Sequence, residues 1–182
     1  MARIKALQPD TMTPAQRQAH DAIAAGPRGA VYGPLAVWLH RPELANKAQA
    51  LGQYCRYDSS LPPILSELAI LVTGRVWGSE FEWQAHKPIA LKAGLPPAVV
   101  EAIRRNETPQ FSDPRQAVVH EFALTLHTER AISEPLYRRA VDMLGEQAVI
   151  DLTGLLGYYT LISMTINVFQ VDPPAGAAAE LA

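Results

Sequence analysis

Six times along this chain a proline opens an apolar-periodic stretch: Pro14, Pro42, Pro63, Pro97, Pro114 and Pro135. Proline has no N–H to give and a fixed φ, so within a helix it is tolerated only in the first turn. Several of these prolines follow a capping residue. Thr13-Pro14-Ala15-Gln16 has the threonine and glutamine of a capping box, and Asp113-Pro114 and Ser133-Glu134-Pro135 repeat the polar start. The pattern predicts helices from Thr13 to about Ala25, from Pro42 to about Tyr57, and from Ser60 through Ile64, Leu65, Leu68, Leu71 and Val72. Further helices are expected up to about Arg105, to about Thr128, to Gly145, and from about Glu146 to Phe169. The stretch SEFEWQAHKPIALKAG also has helical spacing, which Pro88 should kink or split. No segment alternates as a strand between hairpin turns. The chain therefore reads as all-α, with seven to nine helices.

No linker or change of composition divides the 182 residues, so residues 1–182 are expected to form one compact domain. The low-complexity end, about 173–182, is expected to fray. Sixteen basic and eighteen acidic residues are interspersed, without the basic stripe of a nucleic-acid-binding surface. The N-terminus has no apolar run behind its basic residues, so the expected location is cytoplasmic. The segment VIDLTGLLGYYTLISMTINVF is long enough to cross a bilayer. Its Asp151, Asn167, two glycines and missing basic flanks argue instead for a central helix with a second face covered by another subunit. Cys55 is the only cysteine, so neither an intramolecular disulfide nor a dithiol redox pair can form.

The most informative polar residues lie between positions 67 and 86. Arg75, Ser79, Glu82 and His86 share one helical stripe provided that Gly78 does not break the helix, with Glu67 about 80° round from Arg75. Glu82 and His86 are four apart, so the carboxylate can face the imidazole and raise its proton affinity. Such a pair suits proton transfer, and Arg75 has the planar fork to hold a carboxylate or enolate oxygen. The bland reading is a solvated Glu/His pair and a structural arginine. His120 and His127 share a helix face, but Glu121 is about 100° away and no HExxH or paired thiols occur, so no metal is expected. No glycine-rich loop follows a strand, and Ser79 lacks a nucleophile elbow.

ELAILVTGRVWGSEFEWQAHKPIALKAG resembles the core of the carboxymuconolactone decarboxylase and AhpD-like superfamily. That pattern has a glutamate, a cysteine twelve residues later in the peroxidase branch, a second cysteine three further on and a histidine four beyond. Glu67, Ser79, Glu82 and His86 occupy these positions, so the spacing is kept and both redox cysteines are gone. The resemblance is clearest over about residues 60–97, with an N-terminal extension over about 1–35, and its Glu-Trp-x-x-His form looks like the decarboxylase-like branch. It implies an all-helical, AhpD-like protomer assembled as a trimer or hexamer. It also implies a cofactor-independent lyase acting on a small carboxylated lactone or related intermediate of aromatic-compound degradation. His86 would transfer the proton, Glu82 tune it, Glu67 support the pair and Arg75 orient the anion. Hydrolysis or isomerisation at the same site, or a non-enzymatic structural or stress-related oligomer, are the alternatives; the missing cysteine pair counts against a thiol peroxidase.

Overall fold

The computed structural model describes residues 2–173 and 178–181. Among them the chain is helical throughout: α1 Pro14–Ala25, α2 Pro34–Trp38, α3 Pro42–Gln53, α4 Pro63–Val76, α5 Glu80–Lys92, α6 Pro97–Arg104, α7 Pro114–Glu129, α8 Glu134–Leu144 and α9 Glu146–Phe169. A five-residue π turn, Tyr54–Asp58, extends α3. All six prolines sit in a first turn, as their chemistry requires. The capping box of α1 is complete, with Thr13 Oγ1 accepting from the Gln16 N–H at 3.3 Å and Gln16 Oε1 accepting from the Thr13 N–H at 2.9 Å.

Helix α4 is the centre of the molecule. Every residue from Leu65 to Gly74 is buried, and the helix packs against α5, α7 and α9. A helix covered on all sides has no polar face, so its Ser66, Glu67 and Thr73 need internal partners. Ser66 Oγ donates to Pro63 O and Thr73 Oγ1 to Ala69 O; Glu67 finds its partner on α5.

The α4–α5 connection is a Schellman turn. Gly78 takes φ +57°, the Gly78 N–H donates to Arg75 O at 3.1 Å, and the Ser79 N–H donates to Gly74 O at 2.8 Å. It ends α4 and folds α5 back along it, so the condition for Arg75, Ser79, Glu82 and His86 to share one stripe, an unbroken helix at Gly78, is not met. Helix α5, by contrast, runs unbroken through Pro88. The ring there is exposed, and the missing N–H withdraws one bond, to the Gln84 carbonyl, from a helix held by packing on its other side.

Helix α9 is the one helix among the described residues long and apolar enough to span a bilayer, yet over half of its most apolar stretch is buried within the fold. Asp151, inside it, accepts from Tyr54 Oη at 2.7 Å and from the Ser60 N–H and Oγ at 2.8 and 2.6 Å. The opposite face exposes Ile150, Leu161, Met164 and Val168, with open space over Gly154 and Gly157. Part of the tail expected to fray is docked. Glu180 pairs with Lys87 and accepts from Trp83 Nε1, Glu80 accepts from the Glu180 and Leu181 N–H groups, and Leu181 is buried. Residues 174–177 and 182 of that tail lie outside the described residues.

Candidate active site

The fold-back of α5 on α4 brings together two side chains nineteen positions apart. Glu67 Oε2 lies 2.6 Å from His86 Nδ1, and Glu82 Oε1, one turn before His86, lies 2.9 Å from its Nε2. All three residues are 4% exposed. With a carboxylate at each ring nitrogen, both nitrogens act as donors, and the ring is an imidazolium. Burial alone would push its pKa down. The Glu82 charge and the hydrogen bonds that the ring donates to both carboxylates outweigh that and raise it to about 9. Glu82 also sits in the first turn of α5, where the helix dipole favours a negative charge.

One edge of this triad faces a cleft of about 520 Å³, counted to its open mouth. Glu82 and His86 line it; Glu67 stands behind them. The rest of its polar lining is Arg28, Arg56, Tyr158 and Tyr159, and Leu35, Phe81, Ile89 and Ile162 supply apolar surface. Each polar group has a structural reason to be there. Arg28 comes from the loop after α1, and its Nη2 donates to Tyr158 Oη at 3.2 Å. Gly52 makes that meeting possible, because a Cβ there would come within 2.2 Å of Tyr158 Oη and 2.7 Å of Arg28 Nη2. The π turn after α3 buries Cys55 and places its neighbour Arg56 at the cleft, with the guanidinium 5.3 Å from the Tyr57 ring centre. π turns of this kind recur at functional sites. Tyr159 stands edge-on to His86, with ring centres 5.1 Å apart at 85°, and edge-on to Tyr158 at 5.3 Å.

The charges around the cleft do not balance. Two carboxylates, one imidazolium and two guanidiniums sum to +1, and neither arginine has a carboxylate within ion-pairing distance among the described residues. An anionic small molecule is the complement of such a cleft.

Of the four residues singled out from sequence, the structure assembles Glu67, Glu82 and His86 and sets Arg75 apart. Arg75 is at the end of α4, where it lines a different cleft with Asn106, Glu107 and His120, and its Nη1 reaches Leu181 O at 3.4 Å. Ser79 is fully buried and lines neither cleft. His120 packs against the Phe111 ring, and His127 Nε2 lies 2.9 Å from Thr73 Oγ1. Among the described residues no three histidine, cysteine or acidic side chains converge as a metal site. Arg28, Arg56, Tyr158 and Tyr159 escaped the sequence reading. For the two tyrosines, their pairing inside a largely apolar helix was a local sign.

The carboxymuconolactone decarboxylase family matches residues 42–124, a span that holds Arg56, Glu67, Glu82 and His86 and stops short of α9. Several solved structures share the fold over nearly their whole length. An alkylhydroperoxidase AhpD core, an uncharacterized peroxidase-related protein from Ralstonia eutropha JMP134, superposes with a TM-score of 0.78 at 16% identity, covering 96% of this chain and 93% of its own. A peroxidase-related protein from Silicibacter sp. TM1040 gives 0.77 at 15%, covering 96% and 92%. A variant of the debrominase Bmp8 in complex with 2,3,4-tribromopyrrole gives 0.76 at 14%, covering 96% and 95%. No curated protein matches. Residues 42–124, a little under half of the chain and the stretch that holds the Glu67/Glu82/His86 spacing, thus match the carboxymuconolactone decarboxylase family, the chain as a whole shares the all-helical AhpD-like fold, and with a single cysteine it has no redox pair.

Proposed function

We propose that this chain is a cytoplasmic, cofactor-independent lyase that decarboxylates a small carboxylated lactone or a related intermediate of aromatic-compound degradation. The observation that carries the reading is an imidazolium held between two buried carboxylates at the wall of a cationic cleft. In an unsaturated lactone the C–CO₂⁻ bond breaks, CO₂ leaves, and the electron pair moves through the ring to the carbonyl oxygen. The substrate is its own electron sink, which is why no added cofactor is required. A proton must then reach carbon. His86 holds one at neutral pH, Glu82 on the cleft side passes it to carbon, and Glu67 stabilises His86 from behind as solvent restores the proton. Arg28 and Arg56 take the anion-orienting role that the sequence suggested for Arg75.

Hydrolysis or isomerisation would use the same relay without loss of CO₂. A dithiol peroxidase reaction needs two thiols, and the chain has one, buried as Cys55. Self-association into a trimer or hexamer through the exposed apolar stripe of α9 is part of the same proposal, and it would hold that helix away from any membrane.

The test is proton NMR in deuterated buffer with 4-carboxymuconolactone, for the wild type and for folded Glu82→Gln and His86→Ala variants. Loss of substrate with deuterium entering the enol-lactone, in the wild type alone, supports the reading. Equal turnover in all three refutes the relay, and none in any refutes this substrate.

A further inference from the structure

Tyr158 and Tyr159 are neighbours on α9, each 2% exposed, each lining the cleft. They differ in one respect. The Tyr158 hydroxyl has Arg28 as a partner, and the Tyr159 hydroxyl, equally cut off from solvent, has no hydrogen-bond partner among the described residues. Buried hydroxyls are almost always satisfied, so an orphan at the wall of a cleft marks a place where a ligand brings the missing acceptor. Arg28 Nε, from another residue that lines this cleft, is a second buried donor without an acceptor among the described residues. The ring of Tyr159 is buried and packs edge-on against both His86 and Tyr158. Its proton is also secure. Burial first, then the Glu82 and Glu67 charges, hold its pKa well above the ordinary value against the opposing pull of Arg56, so the hydroxyl is a donor at every working pH.

We propose that the Tyr159 hydroxyl is the hydrogen-bond donor to the substrate oxygen on which negative charge collects, and that the cleft therefore selects small anions with a conjugated carbonyl that can become an enolate. This rests on the cleft being the substrate site and deepens that reading. The position suits the role. A donor against His86 lies beside the proton store, and in a small conjugated ring the charged oxygen and the carbon to be protonated belong to one π system. Tyr159 keeps its own proton. It stabilises the enolate formed as CO₂ departs, and the carbon receives its proton from Glu82.

The probe is 4-nitrophenol, whose yellow phenolate is a ready-made conjugated oxyanion. Wild-type protein is expected to bind it as the phenolate, and Tyr159→Phe to bind that phenolate about 10–100-fold more weakly, the span for losing a hydrogen bond to a charged oxygen. The same variant is expected to melt at the wild-type temperature or above it, because the removed hydroxyl had no internal partner. Equal phenolate affinity in the two proteins, no preference of the wild type for the phenolate, or a lowered melting temperature overturns the assignment. Turnover of the lactone is scored separately. If Tyr159→Phe loses phenolate affinity and the wild type leaves the lactone untouched, the lyase reading fails and the donor stands. If both proteins turn the lactone over equally, the donor fails and the lyase stands.

Discussion

Raising the pH above neutrality is expected to destabilise this protein, and the buried triad sets the size of the effect. An unfolded histidine titrates near 6.5 and His86 in the fold near 9. Between those values the folded chain holds a proton that the unfolded chain releases. Stability from this group is therefore complete below about pH 6.5 and lost as pH rises through about 9. A difference of about 2.5 units at about 1.36 kcal/mol each gives about 3 kcal/mol, a large share of the 5–15 kcal/mol typical of a domain. Two other histidines act in the opposite sense. Burial, the leading cause for each, lowers the pKa values of His120 and His127, so their contribution grows as pH rises toward 6.5 and is complete just above it. Cys55, raised by burial, adds to the alkaline loss only above its ordinary value of 9.0. The descending limb between pH 7 and 9 thus belongs to His86.

Urea unfolding at half-unit steps from pH 6 to 9.5, followed by tryptophan fluorescence, reads this directly. The midpoint should be highest near pH 7 and fall toward 9. Glu67→Gln removes one of the two carboxylates that hold the proton, so its limb should be shallower and end at lower pH, while its onset, set by the unfolded chain, stays near 6.5. A flat wild-type midpoint from pH 7 to 9, or a Glu67→Gln protein with the wild-type slope, would refute the bridged imidazolium.

Three further outcomes follow from neighbouring features. Arg28→Gln and Arg56→Gln should each raise KM for the carboxylated substrate about tenfold or more with a smaller change in kcat, and Arg75→Gln should leave both unchanged in steady-state assays. Gly52→Ala forces a Cβ into the Tyr158 hydroxyl and the Arg28 guanidinium, and should cost about 1–3 kcal/mol in chemical denaturation while weakening anion binding. Asp151→Ala strips the acceptor from Tyr54 Oη and the two Ser60 donors, and should lower stability by about 2 kcal/mol, seen as an earlier urea midpoint.

What the sequence disclosed was local chemistry. Proline in a first turn, the Thr13/Gln16 box and the Asp113 cap act within a few residues, and the helices begin where those signals stand. The Glu82–His86 pair was legible for the same reason, being one helical turn. The other halves of the site come from far along the chain. Arg28 sits in a loop that reads as a Gly/Pro connection, Arg56 lies in a π turn after α3 that local sequence does not announce, and Tyr159 lies in a helix whose apolarity spoke of core. The docking of residues 180 and 181 was hidden because AAAELA is low in complexity, while the Glu180 carboxylate meets a lysine and an indole on α5 and its backbone carbonyl accepts from Arg104 on α6.

Arg75 shows how much turns on a single glycine. If the helix ran straight through position 78, Arg75 would share a stripe with His86, and Glu67 would be about 28 Å from it along the axis at 1.5 Å per residue. With Gly78 in the left-handed region the chain reverses instead. Glu67 then lies eleven residues, about 16 Å, before the turn, and His86 eight residues, about 12 Å, after it, so the two come nearly level on adjacent helices. The reversal that carries Arg75 to the far end of the hairpin is what lets a carboxylate on α4 reach the imidazole on α5. The long interval between glutamate and histidine in this motif is therefore a measure of a hairpin, its two arms set so that a buried acid on one helix meets a buried base on the next. Proton chemistry at this site depends on the turn as much as on the residues that carry it.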